Sequence, residues 1–337
     1  MPRFALLRRR HPAPLWPALA LAVLVPSAGA AAPVAGRFDL AAAPRPLLTG
    51  KWLHDRRHVP QSFAFDDAGG HVYVLQVEGA NAAGTFQEHA ARGDLVLTRL
   101  TADGTVAGHM ILRGFGHGVA LGVEPGADGG AHLWTEVDAQ PNEQGVGRGT
   151  RLARFPFRDG LVLAAGSAAL EKFDLVPGAR ACTPSLDLAH GRLALRYARD
   201  GIARVALYDL ATVKAGPARP LREIPLTVPL GVVQGWCAFG DHLYFLTGGP
   251  YSAANPPPGN ATLWCLDGQT GAVVARAAAT AFRELEFREP EGLAVQWAGG
   301  APRLCFGFGA AVSATDSRRQ ISIAFLSDFI PTPVTPP

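Results

Sequence analysis

Five polar residues open five similar segments of the sequence, and their side chains are of types that form hydrogen bonds and transfer protons. Each segment continues with a small or turn-forming residue and then with alternating apolar positions. The openings lie 56, 66, 51 and 57 residues apart, at Gln61, His117, Thr183, Gln234 and Glu291. Imidazole and carboxyl groups serve as general acids and bases, and amides bind hydroxyl groups. Equivalent repeat positions predict that these side chains form one polar ring.

The surroundings of His117 strengthen this prediction. Gly116 and Gly118 flank the histidine, and glycine permits unusual backbone angles and close approach of a ligand. Further along, the run LWTEVD at 133–138 supplies Glu136. We therefore expect His117 to act as a general base or acid if the ring is catalytic, with Glu136 or Glu291 as the second proton-transfer group. A solvated rim without a ligand is the alternative, and we favour it for Thr183.

A second dense motif, FREPEG at 287–292, precedes the fifth segment. Arg288 is expected to clamp a carboxylate or phosphate group through two parallel hydrogen bonds. One of Glu289 and Glu291 is expected to face a ligand, while the other positions Arg288. An Arg–Glu pair that stabilises a loop is the alternative, and it competes more strongly for Glu289 than for Glu291.

Two loops carry weaker signals. The Pro-rich loop YSAANPPPGN at 251–260 predicts a stiff excursion in which Tyr251 or Asn255 frames a sugar-binding groove. A rigid surface loop without a ligand is equally compatible with it. Asp138 and Glu143 in the polar loop 138–148 are possible ligands of a hard cation, but the loop lacks the spacing of an EF-hand. We predict no metal and no cofactor.

Strands must position these residues, because period-two alternation bounded by Gly and Asp turns continues after each opening. Second strands are predicted at 71–77, 131–137, 191–197, 241–247 and 302–308, and third strands at 93–100, 149–157, 202–210, 260–267 and 319–326. Five such units predict an all-β, five-bladed β-propeller over residues 59–327. Its inner strands are predicted at 61–66, 117–122, 183–188, 234–239 and 291–296. A β-sandwich is the alternative fold.

The fifth unit lacks a fourth strand before the Pro-rich tail at 328–337, which we expect to be disordered. The segment GRFDL at 36–40, within the N-terminal segment 31–58, is predicted to supply that strand and to close the ring. A six-bladed ring fits less well, because residues 41–58 contain no hairpin of their own.

The N-terminus has the pattern of a secretory signal peptide, with a basic start, a short apolar core and Ala28-Gly29-Ala30. Cleavage after Ala30 would remove four of the 31 basic residues, leaving 27 against 28 acidic ones. This balance argues against a nucleic-acid-binding protein, and no segment is long enough for a membrane span. We expect a secreted monomer. The four cysteines are expected to be buried small side chains with at most one disulfide.

Several motifs together resemble a known family. They include VPQSFAFD, GFGHGVALGVEP, LWTEVDA, YSAANPPPGNA and FREPEGLAV, and the resemblance extends over roughly residues 37–326. The chain resembles the secreted β-propellers called teichoic acid biosynthesis protein C, which share a domain with receptor-binding proteins of phages that attach to Gram-positive cell walls. The resemblance implies a five-bladed propeller associated with anionic cell-wall glycopolymers, and it assigns no catalytic residue.

Three functions of different classes follow. The first is a module that binds a cell-wall glycopolymer or an extracellular polysaccharide through the ring. The second is a polysaccharide lyase or hydrolase that uses His117 as acid or base. The third is a scaffold for protein partners, which would not need polar residues to converge at one mouth. Catalytic signatures such as G-x-S-x-G and H-E-x-x-H are missing from the sequence. Polymer binding at the ring is therefore the favoured prediction, and cleavage is left open.

Overall fold

The alternating segments form antiparallel sheets, and five of these sheets surround a central axis. The computed structural model describes Met1, residues 36–126 and residues 129–331. Each inner strand contacts the inner strands of the two neighbouring blades, and the inner strand of blade 5 returns to that of blade 1. The protein is therefore an all-β, five-bladed propeller, which confirms the predicted fold.

The blades follow the chain in order, and each is built from the inner strand outwards. Blade 1 consists of Pro60–Asp66, His71–Val77, Leu95–Thr101 and Val106–Arg113, with Val162–Ala164 as a parallel strand at its edge. Blade 2 consists of Gly122–Pro125, Ala131–Val137, Arg151–Pro156 and Glu171–Phe173. Blade 3 consists of Arg180–Asp187, Arg192–Arg199, Ile202–Asp209 and Arg222–Pro225.

Blade 4 consists of Val233–Phe239, His242–Thr247, Thr262–Asp267 and Val273–Ala278. Blade 5 consists of Glu286–Ala298, Ala301–Ala311, Gln320–Leu326 and Arg45–Trp52. Four of the five predicted inner strands are thus correct in position. The exception is 117–122, where the regular strand begins only at Gly122 and the preceding residues form an irregular segment.

The ring is closed by a different strand from the one predicted. Arg45–Trp52 pairs antiparallel with Gln320–Leu326 and is the outer strand of blade 5. The predicted segment 36–40 instead contributes Gly36–Phe38, which pairs with Phe329–Pro331 in a separate two-stranded sheet. The prediction that 36–40 is the fourth strand is therefore wrong. The start of the predicted disordered tail is also ordered, whereas residues 332–337 and the predicted signal peptide lie outside the described residues, apart from Met1.

Apolar side chains fill the spaces between adjacent blades. Leu75 and Leu97 of blade 1 pack with Leu133 and Phe155 of blade 2, and all four are at most 1 % exposed. A similar cluster, which includes Leu195 and Tyr208, joins blades 2 and 3. Because each sheet buries both faces against its neighbours, the ring holds every inner strand in a fixed position around the axis.

Strand direction places the long connections on one face of the propeller. The second strand of each blade is antiparallel to the inner strand, so it ends where the inner strand begins, as the pairing of Pro60 with Gln76 shows. The connections after the second strands therefore surround the same mouth of the channel, and they include the long segments 78–94, 138–150, 248–261 and 312–319. The opposite face carries tight turns such as 240–241 and 299–300. We call the mouth of the channel that the long connections surround the entry mouth.

Helices are few in the described part of the chain. Phe86–Arg92 is a short helix in the connection 78–94, and Thr85 with Glu88 forms a capping box at its start. Leu210–Ala215 is a second helix, and Leu188–His190 is a turn of 3₁₀-helix. A short ladder of Gln140–Pro141 with Gly147–Arg148 orders the connection 138–150. Among the described helices, none is long and apolar enough to cross a membrane.

Candidate functional site

Two glutamine–glutamate contacts form one side of the entry mouth. Gln61 Nε2 lies 3.4 Å from Glu291 Oε1, and Gln234 Nε2 lies 3.5 Å from Glu289 Oε1. Gln61 and Gln234 are the first polar residues of the inner strands of blades 1 and 4, which flank blade 5. Glu291 is buried, whereas the other three side chains are half-buried. The inner strands of three blades therefore bring amides and carboxyl groups together, as the repeat spacing predicts.

Both carboxyl groups of blade 5 lie on this side of the mouth, contrary to the expectation that only one of them would face it. The pairing of the inner strand shifts register around these residues, so the simple alternation of a regular strand does not apply to them. Each carboxyl group also contacts the glutamine of a different neighbouring blade. Arg288 bonds to backbone carbonyls of the preceding connection instead, so neither carboxyl group positions it.

His117 and Glu136 form the other side of the mouth. Glu136 is fully buried, and its Oε1 accepts hydrogen bonds from the backbone N–H groups of His117 and Gly118 at 3.0 and 2.8 Å. Its Oε2 accepts one from the N–H of Gly149 at 2.6 Å. A side chain at Gly116 would collide with this carboxyl group, since a Cβ there would lie 2.2 Å from it. Glu136 thus holds the His117 segment in place, and its oxygens serve the backbone rather than a ligand.

A hydrogen bond from a serine side chain to a backbone carbonyl joins the two sides of the mouth. Ser62 Oγ, next to Gln61, donates a hydrogen bond to the carbonyl oxygen of Gly118, next to His117, at 2.6 Å. The inner strand of blade 1 therefore separates His117 from Glu291 and places both at the same mouth. Thr183, in contrast, is buried between blades and accepts a hydrogen bond from Trp236 Nε1 at 3.0 Å. It is not a ligand-facing member of the ring.

Burial changes the protonation of the ring residues. It raises the pKa of Glu291 well above the usual value, and the neighbouring Glu289 raises it further. Burial also raises the pKa of Glu289. Burial and the positive charge of Arg148 lower the pKa of His117 to about 3. An imidazole with this pKa is neutral at physiological pH and is a weak base, so this environment disfavours the expected acid–base role of His117.

Arg288 does not lie at the mouth, and the expected clamp is wrong. Its guanidinium group is 1 % exposed and donates hydrogen bonds to the backbone carbonyls of Ala279 and Ala281 at 2.6–3.0 Å. It also lies 3.9 Å from the centre of the Phe308 ring. The arginine therefore fixes the connection between blades 4 and 5 to the inner strand, and its burial keeps it from an anion in solution.

Tyr251 stabilises its own loop. Its hydroxyl group lies 3.2 Å from the carbonyl oxygen of Pro258 and 3.4 Å from that of Arg283, and its ring packs beside Arg288. Asn255 donates hydrogen bonds to the carbonyls of Gly249 and Pro250 within the same loop. These contacts match the alternative of a rigid surface loop, which borders the entry mouth.

The channel below the mouth is lined by both apolar and polar side chains. Residues from all five inner strands line a cavity of about 100 Å³, and they include Leu121, Val123, Leu186, Ala238 and Leu293. Each comes later in its strand than the ring residue of the same blade. A cavity of this size has room for a few water molecules only. The ring residues therefore lie at the entry end of the channel, before this cavity.

Three carboxylates near the mouth, at two places, are candidates for a cation site, and nearby cationic side chains already pair with each of them. Asp138, named above only as a possible cation ligand, pairs with Lys172 Nζ at 2.6 Å and with Arg151 at 3.4 Å. Glu78 and Asp94 gather around His89 in the connection 78–94 of blade 1. Arg113 contacts both of these carboxylates, and Arg92 contacts Asp94, so the positive charge that a metal would supply is already present.

Sequence reasoning missed Arg148 and Arg196, which lie beside His117 and Glu136. Arg148 immediately precedes Gly149, whose N–H bonds to Glu136. Arg196 lies opposite Thr183, near the start of the inner strand of blade 3. Arg148 is the cation that lowers the pKa values of both His117 and Arg196. The available signal was an arginine between two glycines, in the run GRGT at 147–150, inside a connection that borders the predicted ring.

Comparison with known proteins agrees with the five-bladed fold. The sequence profile of the family described as the phage 5-bladed beta propeller receptor binding platform domain matches residues 59–303. The chain belongs to this family. It is also 29 % identical over 266 residues to the putative major teichoic acid biosynthesis protein C of Bacillus subtilis strain 168, covering 76 % of this chain and 56 % of that protein. The resemblance inferred from the motifs is thus confirmed.

Among solved structures, the tail fiber of Staphylococcus aureus phage P68 superposes with a TM-score of 0.68 at 19 % identity. The match covers 86 % of this chain and 54 % of the fiber. An exo-beta-1,3-galactanase from Clostridium thermocellum superposes with a TM-score of only 0.45 at 12 % identity, covering 84 % of this chain and 62 % of that one. The chain spans little more than half the length of the Bacillus protein and the phage fiber, and the fiber establishes the fold alone.

The raised pKa of Glu291 leads to a prediction for stability. A group whose pKa is raised in the folded state stabilises the fold below its unfolded pKa of about 4.5, and that contribution is lost as the pH rises through the folded value. We therefore expect Glu291→Gln to raise the free energy of unfolding at pH 8 by about 1 kcal/mol or more. It should also flatten the pH dependence between pH 5 and 8 in chemical denaturation.

The matched control is Glu286→Gln, an exposed carboxylate on the same strand, which should change neither quantity. A Glu291→Gln protein that is less stable at pH 8, with the wild-type pH slope retained, would show that the ionised carboxylate is favoured in the fold.

Proposed function

We propose that the propeller binds an anionic cell-wall glycopolymer, or an extracellular polysaccharide of similar chemistry, at the entry mouth. The observation that carries this proposal is the convergence of Gln61, Gln234, Glu289 and Glu291 at one opening, with His117 beside them. Amide and carboxyl groups in this arrangement can bind the hydroxyl groups of a sugar or polyol. The long connections on the same face would border the polymer. Such a function requires the protein to act outside the cytoplasm, as the signal-peptide pattern also predicts.

Family membership supports this proposal. The family is named for receptor binding by phages, and the Bacillus relative is named for teichoic acid biosynthesis. Both names concern the outer surface of bacteria.

A sedimentation experiment with purified cell walls tests the proposal. Walls that carry teichoic acid should retain the protein, and the same walls after chemical removal of the teichoic acid should not. The double substitution Gln61→Ala and Gln234→Ala should weaken retention about tenfold or more, because two hydrogen-bonding groups are lost from the mouth. Gln269→Ala is the matched control, since this exposed glutamine lies in a turn on the opposite face. Equal retention by both kinds of wall would contradict the proposal for teichoic acid.

One observation favours a second candidate, a hydrolase of the same polymer. Glu291 is a buried carboxyl group that stays protonated above its usual pKa beside a second carboxyl group, Glu289. Glycoside hydrolases use such pairs, in which the protonated member donates a proton to the leaving group. New chain ends in the polymer that appear with the wild-type protein, but not with Glu291→Gln, would establish this activity. Products that absorb in the ultraviolet would indicate a lyase instead.

A further inference from the structure

Arg148 and Arg196 are two cationic side chains at the entry mouth without a protein partner. Neither guanidinium group forms a hydrogen bond or an ion pair with any described residue. The Nε atom of Arg196 is buried and lacks an acceptor within that same part of the chain, as does Nδ1 of the neighbouring His117. Arg99 and Arg204 also have a buried Nε without an acceptor, but each is bonded through another nitrogen of its guanidinium group, to Ala107 and to Glu223. Among the described arginines with such a buried Nε, Arg196 is therefore the one whose guanidinium group has no bonded nitrogen.

Leaving a buried charge without a partner costs free energy, so this arrangement requires an explanation. Burial and the like charge of Arg148 lower the pKa of Arg196 to about 10, which still leaves it protonated at neutral pH. Glu136, whose pKa burial raises, is in charge range of both arginines, but three backbone N–H groups occupy its oxygens. Glu136 therefore reduces the repulsion between the arginines without bonding to either.

The backbone around both arginines is fixed before any ligand binds. Gly149 follows Arg148, and its N–H donates a hydrogen bond to Glu136. The carbonyl oxygen of Gly149 accepts a hydrogen bond from the N–H of Cys182 at 2.9 Å. Cys182 precedes Thr183, which lies opposite Arg196 on the adjacent strand. A continuous path of backbone contacts thus holds the two residues near each other. A preformed site of this kind loses little entropy when it binds a ligand.

We propose that Arg148 and Arg196, together with the imidazole of His117, bind the oxyanion of a polymer repeat unit, either a phosphodiester or a carboxylate. This inference rests on the proposed function, and it assigns the two sides of the mouth different parts of the ligand. The arginines receive the negative charge, and the glutamine–glutamate side receives the hydroxyl groups. Guanidinium groups bind oxyanions through strong charge-assisted hydrogen bonds, and the free Nε of Arg196 is a donor for one of them.

Thermal unfolding of the full chain with small anions tests the site without the polymer. Sodium phosphate, glycerophosphoglycerol and sodium glucuronate are each compared with sodium chloride at equal ionic strength. An anion at about ten times its Kd should raise the melting temperature of the wild-type protein by roughly 3 °C, and Arg148→Gln with Arg196→Gln should abolish that shift. A response to glycerophosphoglycerol alone identifies the phosphodiester, and a response to glucuronate alone identifies the carboxylate.

The behaviour of Arg196→Gln without any anion separates a binding role from a structural one. Removing an unpaired buried charge should leave the melting temperature unchanged or raise it, whereas the loss of a structural arginine would lower it. Arg192→Gln is the matched control on the same strand, because Arg192 bonds to the carbonyl of Gly240 at the far end. A lowered melting temperature for Arg196→Gln, or no wild-type response to any of the anions, would overturn the inference.

The two proposals can fail separately. In the sedimentation experiment, the double arginine variant should lose tenfold or more in retention, which follows from the loss of charge-assisted hydrogen bonds. If this variant is retained as well as the wild type, polymer binding stands and the oxyanion site is wrong. If no wall retains the wild-type protein but the small anions still stabilise it through both arginines, the site stands and the proposed function is wrong.

Discussion

Replacement of Arg288 by alanine is expected to lower the free energy of unfolding by about 3 kcal/mol or more. The substitution would leave the carbonyls of Ala279 and Ala281 without their donor in a buried position, and it would open a cavity beside Phe308. These carbonyls belong to the connection that leads from blade 4 to blade 5. The loss should therefore appear as a lower melting temperature and as faster amide exchange in residues 279–288.

Arg283→Ala provides the comparison, because the side chain of Arg283 is exposed in the same connection. Its free energy of unfolding should stay within about 0.5 kcal/mol of the wild-type value. If Arg288→Ala were as stable as Arg283→Ala and instead lost polymer retention, Arg288 would be a ligand-binding residue after all.

Replacement of Glu136 by alanine should have an effect of similar size, about 3 kcal/mol, and should also disorder the mouth. Three buried N–H groups, those of His117, Gly118 and Gly149, would lose their acceptor. Because Gly149 also orients Arg148, both the histidine and the arginine should lose their fixed positions. Hydrogen exchange measured by NMR should show loss of protection at these three amides before any change in blades 4 and 5.

Two control variants test whether the loss of stability comes from the acceptor oxygens of Glu136. Glu136→Gln keeps one acceptor oxygen and should lose roughly half as much stability as the alanine variant, since its NH₂ group cannot accept from a backbone N–H. Glu143→Ala removes an exposed carboxylate from the same connection and should have no measurable effect. Protection of the three amides that persists in Glu136→Ala would mean that backbone contacts alone hold the segment.

The repeated hairpins could be predicted because alternation and turn residues are local properties of the sequence. The inner strands that begin near Gln61, Thr183, Gln234 and Glu291 all keep this alternation. The segment after His117 does not form a strand at once, because its N–H groups bond to the side chain of Glu136. Here a side chain, and not a neighbouring strand, accepts the backbone hydrogen bonds. The periodicity of apolar residues in the sequence does not reveal such an acceptor.

The outer strand of blade 5 was missed for a related reason. Arg45–Trp52 changes register twice against its partner, and Pro46 and Gly50 interrupt its alternation. Proline and bulges are tolerated on an edge strand, whose outer side needs no partner. The segment around Phe38 has the more regular pattern but forms only a short ladder with residues 329–331. Regularity of pattern therefore did not indicate which segment closes the ring.

The candidate site was predicted in part, and the errors concern long polar side chains. The equivalence of Gln61, Gln234 and Glu291 depends only on repeat position, which the sequence contains. The direction of Arg288 depends on two carbonyls of a preceding connection, and the nearness of Arg148 to Arg196 depends on contacts between blades 2 and 3. Contacts of this kind are decided by packing in three dimensions, which residue types and spacing do not specify.

The pairing of Arg45–Trp52 with Gln320–Leu326 also determines the order of events in synthesis. The N–H of Gly50 bonds to the side chain of Ser322, 272 positions later in the chain. A chain that emerges from the ribosome N-terminus first can assemble blades 1 to 4 in sequence, since their strands are local, but its first strand must wait for the last blade. Completion of the ring is therefore a late, long-range step, and a nascent chain halted before residue 320 keeps an open ring with an unpaired edge.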